Sequence, residues 1–325
     1  MQTIIHRKIG LGMAIIWSAV LLISAGGCRS ESKYQYVDFK DNVEVERPAE
    51  PLPEKAPLKV AVAAMISPRE TFEYYQALLD YLATKMDQPI ELVQRKTYGE
   101  INELFLKKQL DLAFICTGPY ATSKDIYGFE ALATPQVRGK PTYQSYLIVK
   151  KDSGYTSLED LRGKEFAFTD PESNTGSLVP RFWLAEIGEK PSSFFRQTIY
   201  TYSHDNSIKA VSKGLVDAAA VDGHKWDYYQ VVNPSLTEAT RIIKKSEPFG
   251  SPPLVAAASL SPEKKKLIQT IVTSMHHDKD GQQILERLMI DRFVVPEESW
   301  YASVKTMHEV LQTGGNDSHA AAKSQ

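Results

Sequence analysis

Two cysteines in 325 residues, Cys28 and Cys116, are too few to build a disulfide framework. A chain of this length has the means to do without one, since 42% of its residues are hydrophobic and can form a core. Zinc-type Cys/His spacing is missing, so no metal is expected. The formal charge is only −2, with both signs interspersed and no basic stripe, which argues against nucleic acid or another polyanion as partner. The Gly-x-x-x-x-Gly-Lys-Ser/Thr phosphate loop is also missing. No nucleophile elbow and no cofactor loop can be found. The reading is therefore of a protein that is not an enzyme and carries no cofactor. Long apolar runs are scarce as well. The longest, "IGLGMAIIWSAVLLIS", is about 15 residues, short of the ~20 that cross a bilayer as a helix.

That run follows the basic "HRK" of residues 6–8 and precedes the small residues "AGG" and Cys28. The order is that of a secretory signal peptide, and small residues before a lone Cys resemble the bacterial lipoprotein signal. Residues 1–27 are expected to be removed and Cys28 lipidated. Loss of Arg7 and Lys8 takes the net charge from −2 to −4. Cys116, inside "LDLAFIC", is then the one thiol left, expected to be buried and inert. Residues 28–56 are polar and Pro-rich, a tether between lipid and domain, and 313–325 read as a disordered tail.

Between these ends, short apolar strands alternate with amphipathic helices. "LKVAVAA" is followed by "SPRE", with Ser67 as N-cap and Glu70 completing a capping box. Phe72, Tyr75, Leu79 and Leu82 then share a helical stripe. "IELVQ", "YGEINELFLKKQ" and "LDLAFIC" continue the rhythm. It restarts with "TSLEDLRG" (Thr156 and Glu159 in capping-box positions), "EFAFTD", "SLVPRFWLAEIG", "RQTIYTY", "DNSIKAVSKG", "LVDAAAVD" and "HKWDYYQVV". We read an α/β fold in two lobes. Residues 57–148 and 240–312 form lobe 1 and 149–239 lobe 2, with hinge crossovers near 148–152 and 235–250 and "PPLVAAAS" as a strand returning to lobe 1. Ligands of open α/β sheets sit at the carboxyl ends of strands, so the cleft between the lobes is the natural site.

Chemistry concentrates at those strand ends. "DPESNTGSLVP" places Ser173, Asn174, Thr175, Gly176 and Ser177 where a strand ends and a helix begins. Orphan backbone N–H groups and the helix dipole favour an anion there, and Gly176 lets a ligand approach the backbone. Neutral donors suit a compact tetrahedral oxyanion, although the same residues describe an ordinary polar helix cap. "TYSHDNS" ends a strand with His204, "AAAVDGHKW" ends one with Asp222, and "FICTGPYA" ends one with Thr117 and Tyr120. Asp222 by itself reads equally as a cap of its own helix. Tyr120 and Tyr143 are wall or hinge aromatics, or simple packing.

The stretches "DLAFICTGPY", "LEDLRGKEFAFTDPESNTGSLVP" and "SHDNSIKAVSKGLVDAAAVD" resemble the phosphonate-, phosphate- and phosphite-binding components of bacterial ABC importers. Those proteins are class II periplasmic binding proteins, and the resemblance spans about residues 57 to 300. It implies a lipid-anchored, monomeric carrier at the periplasmic face of a membrane. Such a carrier touches the membrane through its anchor alone and delivers a phosphorus oxyanion to ABC permease subunits. It further implies that Ser173, Asn174 and Thr175 hold phosphoryl oxygens, that His204 donates to another, and that Asp222 accepts from a P–OH, which excludes sulfate. The family usually has Ser-Thr-Ser before the glycine; here Asn174 replaces the middle hydroxyl. Glu73, Glu130 and Glu172 are the carboxylates open to an aminated ligand. A ligand-sensing subunit of a signalling system is the alternative that the fold allows.

Overall fold

The structure, a computed structural model, describes residues 55–63, 65 and 68–321, with side chains described from 75 to 313 within the first and last helices. The signal peptide, Cys28, nearly all of the tether, the Ser67 cap, and the side chains of Phe72 and Glu73 lie outside the described residues. No helix among the described residues is long and apolar enough to cross a membrane.

Six strands build the first sheet. They are β1 (Leu58–Val62), β2 (Ile90–Val93), β3 (Leu112–Phe114), β4 (Phe129–Gln136), β12 (Leu254–Ala257) and β13 (Arg292–Val294), in the order β13-β4-β12-β3-β1-β2. β1 pairs in parallel with β2 and β3, whereas β12 runs antiparallel to both β3 and β4. The all-apolar β3 and β12, with β1 apolar but for Lys59, occupy the middle. Val60, Ala61, Leu112, Ala113, Val255 and Ala256 are wholly buried there, as strands covered on both faces must be. The covering helices include α1 (Pro68–Met86), α2 (Tyr98–Leu106) and α3 (Thr117–Tyr127). Thr97 caps α2 in a reciprocal capping box with Glu100.

The second sheet has the order β10-β6-β9-β7-β8. Its strands are β6 (Ser145–Lys150), β7 (Glu165–Phe168), β8 (Gln197–Tyr200), β9 (Ala218–Asp222) and β10 (Thr240–Lys245). A π-type turn, Asn174–Leu178, leads from β7 into α4 (Val179–Glu186), and the short α5 (Pro191–Phe194) precedes β8. α6 (His204–Ser212), α7 (Gly223–Val232) and the short α8 (Pro234–Glu238) follow. The segment "TSLEDLRG" forms only a 3-10 turn, Glu159–Leu161. Its cap is Asp160 accepting from Thr156 (2.7 Å), not Glu159.

Both lobes meet at the two-stranded ribbon of β5 (Thr142–Tyr143) and β11 (Phe249–Gly250), which carries the chain across in both directions. The exit thus precedes the expected 148–152, while the return falls within the expected 235–250, with residues 240–245 still in lobe 2. β6 and β10 both belong to the second sheet and pair with each other, so the chain leaves lobe 1 before 148 and returns after 245. The ladder from Thr240↔Lys150 to Lys245↔Tyr146 decides this, and no local pattern reveals it. α9 (Pro262–Ser274), capped by Ser261, and α10 (Lys279–Arg287) return to the first sheet. α11 (Ala302–Ala321) continues through most of the stretch expected to be a tail. The architecture is two α/β lobes, one sheet each, joined by a two-stranded ribbon.

Candidate functional site

Helix starts from both lobes converge where the strands end. From lobe 1 come α2 after β2 and α3 after β3. From lobe 2 come the π turn after β7, α6 after β8 and α7 after β9. First-turn N–H groups have no intrahelical acceptor, so the seam between the lobes is rich in donors and positive in potential.

Ser173, Asn174, Thr175 and Ser177 are fully buried. Ser173 Oγ accepts from Gly176 N at 3.0 Å, an N-cap contact that occupies one of its lone pairs. Asn174 Nδ2 donates to the Tyr143 hydroxyl at 3.2 Å, while Asn174 Oδ1 and Thr175 Oγ1 are buried with no hydrogen-bond partner. Buried polar atoms are almost always paired, and an unpaired one costs about 1–3 kcal/mol. Two adjacent residues of this turn each carry such an atom. Gly176 also meets a packing demand. A Cβ there would lie 2.4 Å from Thr169 Oγ1, so the glycine admits the strand's own side chain beneath the turn.

His204 is buried, and its Nδ1 accepts from Asp222 N (3.0 Å) and lies 3.2 Å from Thr169 Oγ1. That bond places the ring proton on Nε2. Burial, the largest influence, lowers its pKa to about 4 despite the carboxylate of Asp222. It is thus a neutral donor at physiological pH. Asp222 caps α7, with Oδ1 accepting from His224 N at 2.8 Å and Lys225 N at 3.3 Å. The capping role is therefore present, and its second oxygen makes no hydrogen bond among the described residues.

The two remaining lobe-1 residues singled out at "FICTGPYA" point elsewhere. Thr117 Oγ1 donates to Gly250 O at 2.8 Å, tying α3 to the crossover ribbon. The Tyr120 hydroxyl donates to Glu298 Oε1 at 2.6 Å, and its ring packs edge-on against Tyr301. The helical turn carries Tyr120 behind the seam, so it is a packing residue and not a contact to the cleft. Tyr143 does belong with the donors. Burial holds its phenol well above the ordinary value, and Thr117 and Asn174 both bond to it. Cys116 is buried at the start of α3 with its thiol pushed up to about 11 by burial, an unreactive group. Glu130 pairs with Lys265 on the surface, far from any such role.

Sequence reasoning passed over two residues. Tyr98, the first residue of α2, is buried with an unpartnered hydroxyl. Burial raises its pKa, and the neighbouring Cys116, Asp170, Asp222 and Tyr143 add to the effect. Its phenol thus neighbours the Tyr143 and Asp222 side chains. Gly118 is the other. A Cβ on it would stand 2.3 Å from the Glu172 carbonyl oxygen and 3.1 Å from Asn174 N. Only a glycine lets α3 meet the backbone of lobe 2 so closely. Cross-lobe bonds surround that contact. Tyr98 N donates to Asp170 Oδ2 (3.1 Å), Asn102 Nδ2 to Glu172 Oε2 (2.7 Å), and His204 N to Met65 O (3.1 Å). The lobes are closed on each other.

Comparison with known proteins places this geometry. Residues 60–301 match the family model described as "ABC transporter, phosphonate, periplasmic substrate-binding protein". The phosphonates-binding periplasmic protein of Escherichia coli is 30% identical over 154 residues, covering 46% of this chain and 45% of that protein. The chain spans about half the length of the curated relatives it matches. Among solved structures, a binding protein component of an ABC phosphonate transporter from Pseudomonas aeruginosa superimposes with a TM-score of 0.71. It has 20% identity and covers 84% of this chain and 100% of its own. The Prochlorococcus marinus PhnD1 structure, in complex with methylphosphonate, gives 0.70 at 20% identity, covering 78% and 98%. This chain belongs to the family of phosphonate-type periplasmic substrate-binding proteins of ABC transporters, a family of binding proteins and not of enzymes.

Proposed function

We propose that this protein captures a phosphorus oxyanion, a phosphonate in the first instance with phosphate or phosphite as variants, and hands it to an ABC permease. One observation supports the reading: buried hydroxyls from both lobes, Tyr98 from the first and Thr175 from the second, have no hydrogen-bond partner in one closed seam. In this reading the hydroxyls of Tyr98 and Thr175, with the N–H groups of the π turn, donate to phosphoryl oxygens. His204 donates through Nε2. The second oxygen of Asp222 accepts from a P–OH, so a ligand that keeps one proton is bound and sulfate is not. No lysine or arginine is needed, because a mono-anion is neutralised by helix dipoles and oriented amides. Closure around the ligand is the state the permease reads. Cys28 anchors the carrier by lipid at the periplasmic face of a membrane, and the carrier acts as a monomer.

Isothermal titration of the full-length protein with methylphosphonate, phosphite, phosphate and sulfate tests this. At least one of the first three should bind at micromolar concentration or tighter, and sulfate should not. Equal affinity for sulfate would remove the role given to Asp222, and no binding by any of the four would remove the whole proposal.

A further inference from the structure

Two loops from opposite lobes face each other at the edge of the seam. Gln94, Arg95 and Lys96 follow β2 in lobe 1, and Thr201 and Tyr202 follow β8 in lobe 2. Lys96 stands two residues before Tyr98, and Tyr202 two residues before His204. A residue spans at most about 3.6 Å, so the backbone of each loop lies within about 7 Å of that of a donor proposed above.

Each loop is fixed within its own lobe. The N–H groups of Lys96 and Thr97 donate to Glu100 Oε2 at 3.0 and 2.9 Å. Thr201 N donates to Phe168 O at 3.0 Å, and Tyr202 N to Thr169 O at 2.7 Å. Only a side chain bridges the gap. The Lys96 ammonium sits 4.7 Å from the centre of the Tyr202 ring, inside the roughly 6 Å over which an aromatic face attracts a cation.

The backbone of Tyr202 shows that the ring matters. Its φ of 60° is left-handed, a conformation uncommon for a bulky side chain and open to Gly or Asn with less strain. The turn alone would be served better by either of those. Strain of this kind persists where the surrounding structure enforces it, often at ligand clamps. The position therefore keeps an aromatic ring at a conformational cost, and that ring meets a cation of the other lobe.

We propose that Lys96 and Tyr202 form a clasp that holds the lobes shut and sets how long a captured ligand stays. The inference rests on the phosphoryl reading above and assigns the release rate to a pair outside the donor set. The two residues belong to different lobes, so their contact exists only after closure. The opening between the loops, about 360 Å³, admits water. The contact thus has the strength of an exposed cation–π pair, a factor of about two to five in a rate.

Stopped-flow kinetics of the full-length protein with methylphosphonate, phosphite and phosphate test this. Lys96→Gln and Tyr202→Leu should each speed release by that factor. Tyr202→Leu should leave the association rate unchanged, because the pair meets only after capture. The double variant should release no faster than the faster single one. Lys96→Arg and Tyr202→Phe should keep release slow, since a guanidinium and a phenyl ring sustain the same attraction. Ligand-free melting temperature should be level across the set, both side chains lying outside the buried core. Wild-type release rates in both single variants, or effects that multiply in the double variant, overturn the clasp and leave the phosphoryl site standing. Fast release in Lys96→Arg and Tyr202→Phe does the same. Failure of all three probes to bind overturns both.

Discussion

Gly118→Ala isolates lobe closure from folding. The new methyl would stand 2.3 Å from the Glu172 carbonyl oxygen, whereas ordinary contact begins at 3.4 Å, so the lobes must part by about 1 Å at this point. The adjacent cross-lobe bonds measure 2.7 Å (Asn102 to Glu172) and 3.1 Å (Tyr98 N to Asp170), and that displacement carries both past bonding distance. Bonds to charged acceptors contribute about 1.5–3 kcal/mol each. Ligand affinity should therefore drop by roughly 3 kcal/mol, on the order of a hundredfold. The open protein does not feel the clash, and alanine is a better helix former than glycine, so the ligand-free melting temperature should hold or rise slightly. Calorimetry with the best phosphorus oxyanion gives the affinity, and small-angle scattering with and without ligand gives the closure. Gly154→Ala, where a Cβ meets nothing within 4 Å, is the control. Undiminished affinity and full closure in Gly118→Ala would refute the claim that this contact governs the closed state.

Three further outcomes are expected. Thr175→Val removes a buried, unpartnered hydroxyl without changing shape, so affinity should fall at least about tenfold while ligand-free stability stays level or improves; a large loss of melting temperature would mean the hydroxyl is structural. Asp222→Asn keeps the cap on α7, so it should fold normally, bind phosphonate weakly and tolerate sulfate; Asp222→Ala should also lose about 1 kcal/mol of stability, read by urea denaturation. His204 stays neutral to about pH 4, whereas its unfolded form takes a proton near 6.5. The unfolded chain binds the extra proton between those values, so stability from this group is complete above pH 6.5 and is lost as pH falls toward 4. The span corresponds to about 3 kcal/mol, and that part of the denaturation profile should vanish in His204→Asn.

The helix starts that frame the seam are readable from sequence, because strand-then-cap patterns such as "EFAFTD" before "PESNTG" announce where a strand ends and donors begin. What they cannot announce is direction. Tyr98 follows Thr97 in a plain capping box and looks like any helix residue; its burial against Asp222 exists only once two lobes have closed. Tyr120 shows the reverse, since a tyrosine in the right motif turns toward Glu298 because Tyr301, nearly two hundred residues on, supplies its packing surface. The exit crossover escaped for a related reason. "TYQSYLIVKK" holds no Gly or Pro to break it, and only pairing with residues near 249 splits it into a hinge strand and a sheet strand. Gly118 draws no notice in the sequence, because the carbonyl of the other lobe that requires it is 54 residues away.

The unpartnered hydroxyls of Tyr98 and Thr175 bear on traffic at the membrane. Shut and vacant, the carrier would leave both of them dry and unmatched, at about 1–3 kcal/mol each. On the reading proposed here, vacant copies therefore stay ajar nearly all the time, with the shut form on the order of one per cent or less. A permease that docks only the shut form would then seldom waste a cycle on an empty delivery, and the protein's own unmet polarity would act as the proofreader.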